Sequence, residues 1–159
     1  MIGSDSNVLL PNGDTIPAGD IKGGIQVIDL YGKPQMVKKA KSSSEKEYQV
    51  LQFENGVTFY CLTYLSIMTW DSEIDAMDLK AGDKVLGYRD GKLCEIAVTD
   101  ALSVNVVNKK RLKMPRKVKM TFFETYEDMP IVADEIVIGM RKQLGDNTDP
   151  HLVRIEKDR

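Results

Sequence analysis

Residues Ile16–Lys33, IPAGDIKGGIQVIDLYGK, and Ile74–Lys92, IDAMDLKAGDKVLGYRDGK, write one pattern twice, and this repeat constrains the fold more than any other feature. Asp20-Ile21-Lys22 answers Asp78-Leu79-Lys80, Gly24 answers Gly82, Val27 answers Val85, and Gly32-Lys33 answers Gly91-Lys92 after one extra residue. Internal repetition marks units that bury their apolar faces against one another. The chain is therefore expected to fold as two related β units in one domain. A second parallel lies upstream, where Val8–Ile16 and Leu51–Phe59 each carry Asn-Gly, at Asn12-Gly13 and Asn55-Gly56. It predicts that Asn7–Ile16 and Leu51–Phe59 are equivalent hairpins related by an approximate two-fold. The other account is that two hairpins converge on the same turn chemistry.

Asn-Gly between alternating apolar residues is a strong hairpin signal. It sets a strand at Asn7–Leu10 against Thr15–Ile16, and Tyr48–Phe53 against Val57–Leu62. Further strands are expected at Ile25–Leu30, Met36–Ala40, Lys84–Tyr88, Val118–Glu124 and Ile131–Met140, with an apolar, β-branched run over Lys92–Val107. Lys41–Lys46, KSSSEK, lacks periodicity and reads as an exposed loop. No segment keeps a helical period over two turns. Short strands with closely spaced turn signals predict an all-β domain, bounded near Met140 and followed by a turn-rich extension over Arg141–Arg159.

A chain of 159 residues has the length of one domain and needs no disulfide or metal staple. Its formal charge of −2 names no partner. Cys61 and Cys94 lie in strand-like surroundings and read as free thiols in a reducing compartment. No apolar run reaches the length of a membrane span, and the N-terminus lacks the basic start and apolar centre of a signal peptide. The expected location is the cytoplasm, with incorporation into a virion as an extension of it.

Several short motifs resemble those of Hint domains, the self-processing modules of inteins and hedgehog autoprocessing domains. Val8-Leu9-Leu10-Pro11-Asn12-Gly13, Ile16-Pro17 and Asp20-Ile21-Lys22 resemble the opening of such a domain, with Asp5-Ser6 at the family's Asp-Thr pair. Ala76–Asp83 resembles its Leu-Lys-x-Gly-Asp element, and Ile131–Val137 its closing strand. The likeness spans Asp5 to Met140. It implies a pseudo-two-fold β fold with chain ends brought close together.

The resemblance also implies three chemical stations. A Cys or Ser at the first position attacks the preceding carbonyl; a Thr-x-x-His pair polarises and protonates the scissile amide; a terminal His-Asn pair cyclises. Here Met1 occupies the first position, and a start methionine offers neither nucleophile nor upstream peptide. Thr63 matches the family's threonine, but Ser66 stands at the histidine, and a hydroxyl does not donate protons at neutral pH as an imidazole does. Gly139-Met140 replaces His-Asn. Ser4 is the nearest hydroxyl to the first station and reads as a turn serine. The only histidine, His151, falls in the extension and reads as a surface residue. These substitutions lead to the expectation that the chain is no enzyme: a degenerate Hint domain without catalytic residues, metal or cofactor.

One charge feature stands out. Asn108–Lys119, NKKRLKMPRKVK, holds Lys109, Lys110, Arg111, Lys113, Arg116, Lys117 and Lys119 with no acid among them. Pro115 excludes a central strand there, so a basic ribbon or loop is expected. Lysines on a sheet edge discourage edge pairing; alternatively the ribbon contacts phosphates or an acidic protein face. It has no interleaved aromatics for base stacking, which favours the protein face. Asp71, Glu73, Asp75 and Asp78 lack the glycine-centred spacing of a calcium loop, and Tyr64 and Trp70 read as core or edge aromatics. The expectation is a structural or protein-interaction module in a larger assembly, with protein partners or copies of itself. Intein-like modules in phage genomes make a virion one such assembly. A self-processing Hint domain using Ser4 and Thr63, or a nucleic-acid-binding accessory protein acting through residues 108–119, is the alternative.

Overall fold

The computed structural model describes residues 1–140; the extension, with His151, lies outside the described residues. Fourteen strands and one helical turn follow in order: β1 (Ile2–Gly3), β2 (Asn7–Leu9), β3 (Thr15–Pro17), β4 (Gln26–Ile28), β5 (Pro34–Glu45), β6 (Tyr48–Phe53), β7 (Thr58–Cys61), β8 (Ser66–Met68), β9 (Glu73–Asp75), β10 (Lys84–Arg89), β11 (Lys92–Val104), α1 (Lys109–Leu112), β12 (Val118–Thr125), β13 (Ile131–Ala133) and β14 (Ile136–Ile138). They join in the order β3-β2-β13-β14-β10-β11-β6-β7-β1-β12-β5-β4, with β8 on β14 and β9 on β8. The domain is all-β. No helix among the described residues is long and apolar enough to cross a membrane.

The repeat read from the sequence is a structural two-fold. Ala18–Asp20 and Ala76–Asp78 each form one 3-10 turn, followed by Ile21 (φ −73°, ψ 136°) and Leu79 (φ −78°, ψ 145°), both buried. Gly24 and Gly82 then adopt φ +93° and +96°, a region open to glycine because it has no Cβ. The hydrogen bonds repeat as well. Ala18 N donates to Ser6 O at 2.7 Å and Ala76 N to Leu65 O at 2.8 Å; Gly24 N donates to Val37 O at 2.9 Å and Gly82 N to Val98 O at 2.8 Å. These bonds equate Ser4 with Thr63 and Ser6 with Leu65. β5 and β11 are the two long strands, each shared between two partners.

The upstream pairing of hairpins needs correcting. The two-fold sets the β2–β3 hairpin against β8–β9, where Ser66 faces Asp75 as Asn7 faces Pro17. The Asn55-Gly56 hairpin, β6–β7, belongs elsewhere in the sheet, next to β11 and β1. Its likeness to Asn12-Gly13 is turn chemistry alone: Gly13 N donates to Leu10 O and Gly56 N to Phe53 O, each at 3.0 Å. Each asparagine Oδ1 also accepts the backbone N–H two residues on. Asn-Gly specifies a local turn, and a local turn carries no information about where its hairpin packs.

One further expectation fails. KSSSEK is strand through Glu45, registered against β12 from Val118 to Phe122. Serines and lysines suit this stretch because β5 has only one partner there, and polar residues blunt an open edge. Tyr64 and Trp70, read as core or edge aromatics, are exposed, which excludes the core half of that reading. The main core is built by Ile2, Val8, Leu51, Phe59, Ile67, Ile96, Phe123 and Ile138 from both halves.

Candidate functional site

The three stations hold Met1, Thr63 with Ser66, and Gly139-Met140. Met1 is buried with Tyr48, Val50, Val104, Met120 and Phe122. Its carbonyl accepts from Leu62 N at 3.1 Å, and Ser43 Oγ lies 3.4 Å from its sulfur. Burial pulls a free amine at Met1 down to about 5, against smaller opposing effects of Cys61 and Glu45. Burial likewise pushes the Cys61 thiol up to about 12, so this thiol stays protonated and weakly nucleophilic at neutral pH.

Ser66 and Gly139 are brought together. Gly139 N donates to Ser66 O at 2.8 Å, and a Cβ on Gly139 would stand 3.0 Å from Ser66 Cβ and 3.1 Å from its Oγ. Ser66 Oγ donates to Glu73 Oε2 at 2.9 Å. Met140 packs in the main core, whereas Met1 belongs to a second cluster. Thr63 is half-buried and its carbonyl accepts from Met77 N at 3.0 Å. Ser4 is buried, its hydroxyl 2.9 Å from Thr121 Oγ1, which lies 3.0 Å from Ser42 Oγ. This is an internal chain of hydroxyls.

The basic stretch is a strap rather than a ribbon. Asn105 Oδ1 accepts from Val107 N and Asn108 N, and Asn108 Oδ1 accepts from Asn105 N. This reciprocal turn leads into α1, which ends where Lys113 turns left-handed at φ +56°. Lys109 departs from the expected role of a free contact. It is buried, and its ammonium donates to the carbonyls of Lys46 and Arg116 and lies 6.0 Å from the centre of the Tyr48 ring. The physical reason is that a buried ammonium is tolerable only when hydrogen-bonded.

Lys110, Arg111, Lys113, Arg116 and Lys117 are exposed. With Lys46, Lys109, Val106 and Met114, four of these five (Arg111 excepted) line a cleft of about 790 Å³. Lys119 opens on a neighbouring cleft with Lys117, Asp5, Tyr60 and Asp134. The ion pairs found among the described residues are Lys39–Glu124, Lys80–Asp83 and Arg89–Glu135, none from the strap. Sequence reasoning missed Lys46, Val106 and Val107. The two valines extend the β-branched run of β11 in sequence, but the chain leaves the strand at Asn105, whose spacing from Asn108 is the turn signal that marks it.

No protein-family model matches the chain, and no curated protein matches it in sequence. Solved structures do. A DnaB intein from Synechocystis sp. PCC 6803 aligns with TM-score 0.71 and 12% identity over 87% of this chain and 96% of its own. The MchDnaB-1 intein aligns with TM-score 0.67 and 15% identity over 87% and 98%. The Msm DnaB1 intein splicing domain aligns with TM-score 0.65 and 14% identity over 87% and 98%. These matches overturn the expectation that the chain is no enzyme, because the fold it shares is that of splicing domains. Substituted stations do not establish that chemistry is absent from such a scaffold. The chain has the Hint fold of inteins, all-β and pseudo-two-fold.

Proposed function

We propose that this Hint-fold domain acts as a protein-interaction module within a larger assembly, a virion being one such setting, and that its basic strap is the docking element. One observation carries this reading: the stretch projects six exposed cations, Lys119 included, from a net-acidic chain, while Lys109 and the Tyr48–Pro115 hydrogen bond anchor it to the fold. Concentrated unpaired charge steers association toward an oppositely charged face. Sedimentation velocity of the wild type beside Lys110→Ala/Arg111→Ala/Lys117→Ala, across salt concentrations, tests it. The wild type is expected to form larger species that the triple variant and high salt both abolish. An unchanged size distribution would overturn the proposal.

A second reading, self-processing, is supported by the adjacency of Ser66 and Gly139-Met140 in this fold. Its test is the mass of the chain fused to a peptide at each end, before and after hydroxylamine. A cleavage product that disappears in Ser66→Ala or Ser4→Ala supports it, and a mass unchanged throughout counts against it.

A further inference from the structure

Resting on the strap as docking element, we infer that its cleft receives an extended protein segment in which acidic side chains are interleaved with aliphatic ones. The cleft is lined by six basic residues and no acidic one, so an anionic occupant meets no like charge. What separates a peptide from a phosphate backbone is the apolar component. Val106, 59% exposed, lines the cleft with Met114, and Val107, 84% exposed, and Leu112, also exposed, lie next to these lining residues in the chain. Isolated apolar residues on a surface are ordinary, but Val106 and Met114 in the cleft wall, with Val107 and Leu112 exposed beside it in the chain, offer apolar contacts that a sugar-phosphate chain does not use. The cleft also lacks the aromatic platforms on which bases stack.

The walls are fixed in advance. Lys109 ties the carbonyl of Lys46 to that of Arg116, Tyr48 Oη donates to Pro115 O at 2.7 Å, and the Asn105–Asn108 turn holds the valines. A segment binding there orders little of the protein, which favours affinity. The cations contribute mainly to encounter rate and salt dependence, and the valines to retention.

The test uses the whole chain and two fluorescent probes of equal charge, a peptide alternating glutamate with leucine and an oligothymidylate. The peptide is expected to bind, more weakly at high salt. Reversing charge in Lys110→Glu/Lys113→Glu/Lys117→Glu should weaken it by at least about tenfold, the scale of truncated interface anchors. Val106→Ser/Val107→Ser, at positions too exposed to disturb the fold, should weaken the peptide by about fivefold through lost apolar burial and leave the oligonucleotide unchanged. Tighter oligonucleotide binding, indifference of the peptide to the serine variant, or no peptide binding at low salt would each overturn the inference. Sedimentation of the charge variant separates the two levels. A loss of the larger species without peptide binding removes only the assignment of the occupant; no change in size removes the docking reading itself.

Discussion

Asp134 carries a charge where water is scarce. It begins the turn between β13 and β14, in which Asp134 and Glu135 adopt φ +53° and +66°. Its carboxylate accepts from Asn7 N at 3.0 Å, and its own N–H donates to Asn7 O at 2.8 Å. Desolvation by burial raises its pKa above the ordinary aspartate range, outweighing the bonds from Asn7 and Ser6 that pull it down, while Glu135 adds to the rise. A carboxyl whose folded pKa is raised costs stability once the pH exceeds the unfolded value, and that cost vanishes below it. Asp134→Asn keeps the acceptor for Asn7, tolerates the left-handed backbone and removes the charge. Thermal unfolding should show the variant more stable than wild type at pH 7, with the gain shrinking as the pH falls from the raised folded pKa towards the ordinary aspartate value and gone below it. A gain that persists at low pH would assign the effect to backbone preference instead.

Among elements, the strap holds the sharpest contrast. Lys109 and Lys110 are neighbours with the same side chain, one capping two carbonyls inside the fold and the other in water. Lys109→Met should cost about 1–3 kcal/mol in urea unfolding, because Lys46 O and Arg116 O lose a charged donor. Lys110→Met should change stability by less than about 0.5 kcal/mol, as exposed substitutions do. Equal effects would show that the cap is not made in solution. Nothing in NKKRLK distinguishes the two lysines, since the difference arises from Tyr48 and Arg116 arriving beside one of them. The sequence was more informative where a property is local. Asp-apolar-Lys followed by glycine marked both 3-10 turns and their buried anchors, Ile21 and Leu79. It was misleading where edge position decides, as for KSSSEK, and where contact across the chain decides. The adjacency of Ser66 and Gly139 was legible only through the resemblance to Hint domains, because nothing in either local stretch points to the other.

For the molecule as a whole, connectivity outweighs any single contact. β12 lies between β1 and β5, and β13–β14 join β2 to β10. Removing these three strands leaves the rest as separated pieces of sheet, so residues 1–117 should show neither near-ultraviolet circular dichroism nor a cooperative urea transition. A cooperative transition in that fragment would mean that the strands before β12 fold without it. Pairings such as Ile2 with Thr121 and Val8 with Ala133 span most of the chain; contacts of that reach place folding on the order of milliseconds to seconds. The same arrangement sets a timetable during synthesis. β7 covers one edge of β1 and β3 one edge of β2, but their other edges wait for β12 and β13, so strand edges stay open until residue 138 has emerged from the ribosome. Throughout that interval the nascent chain exposes unpaired edges of the kind that draw aggregation or chaperones.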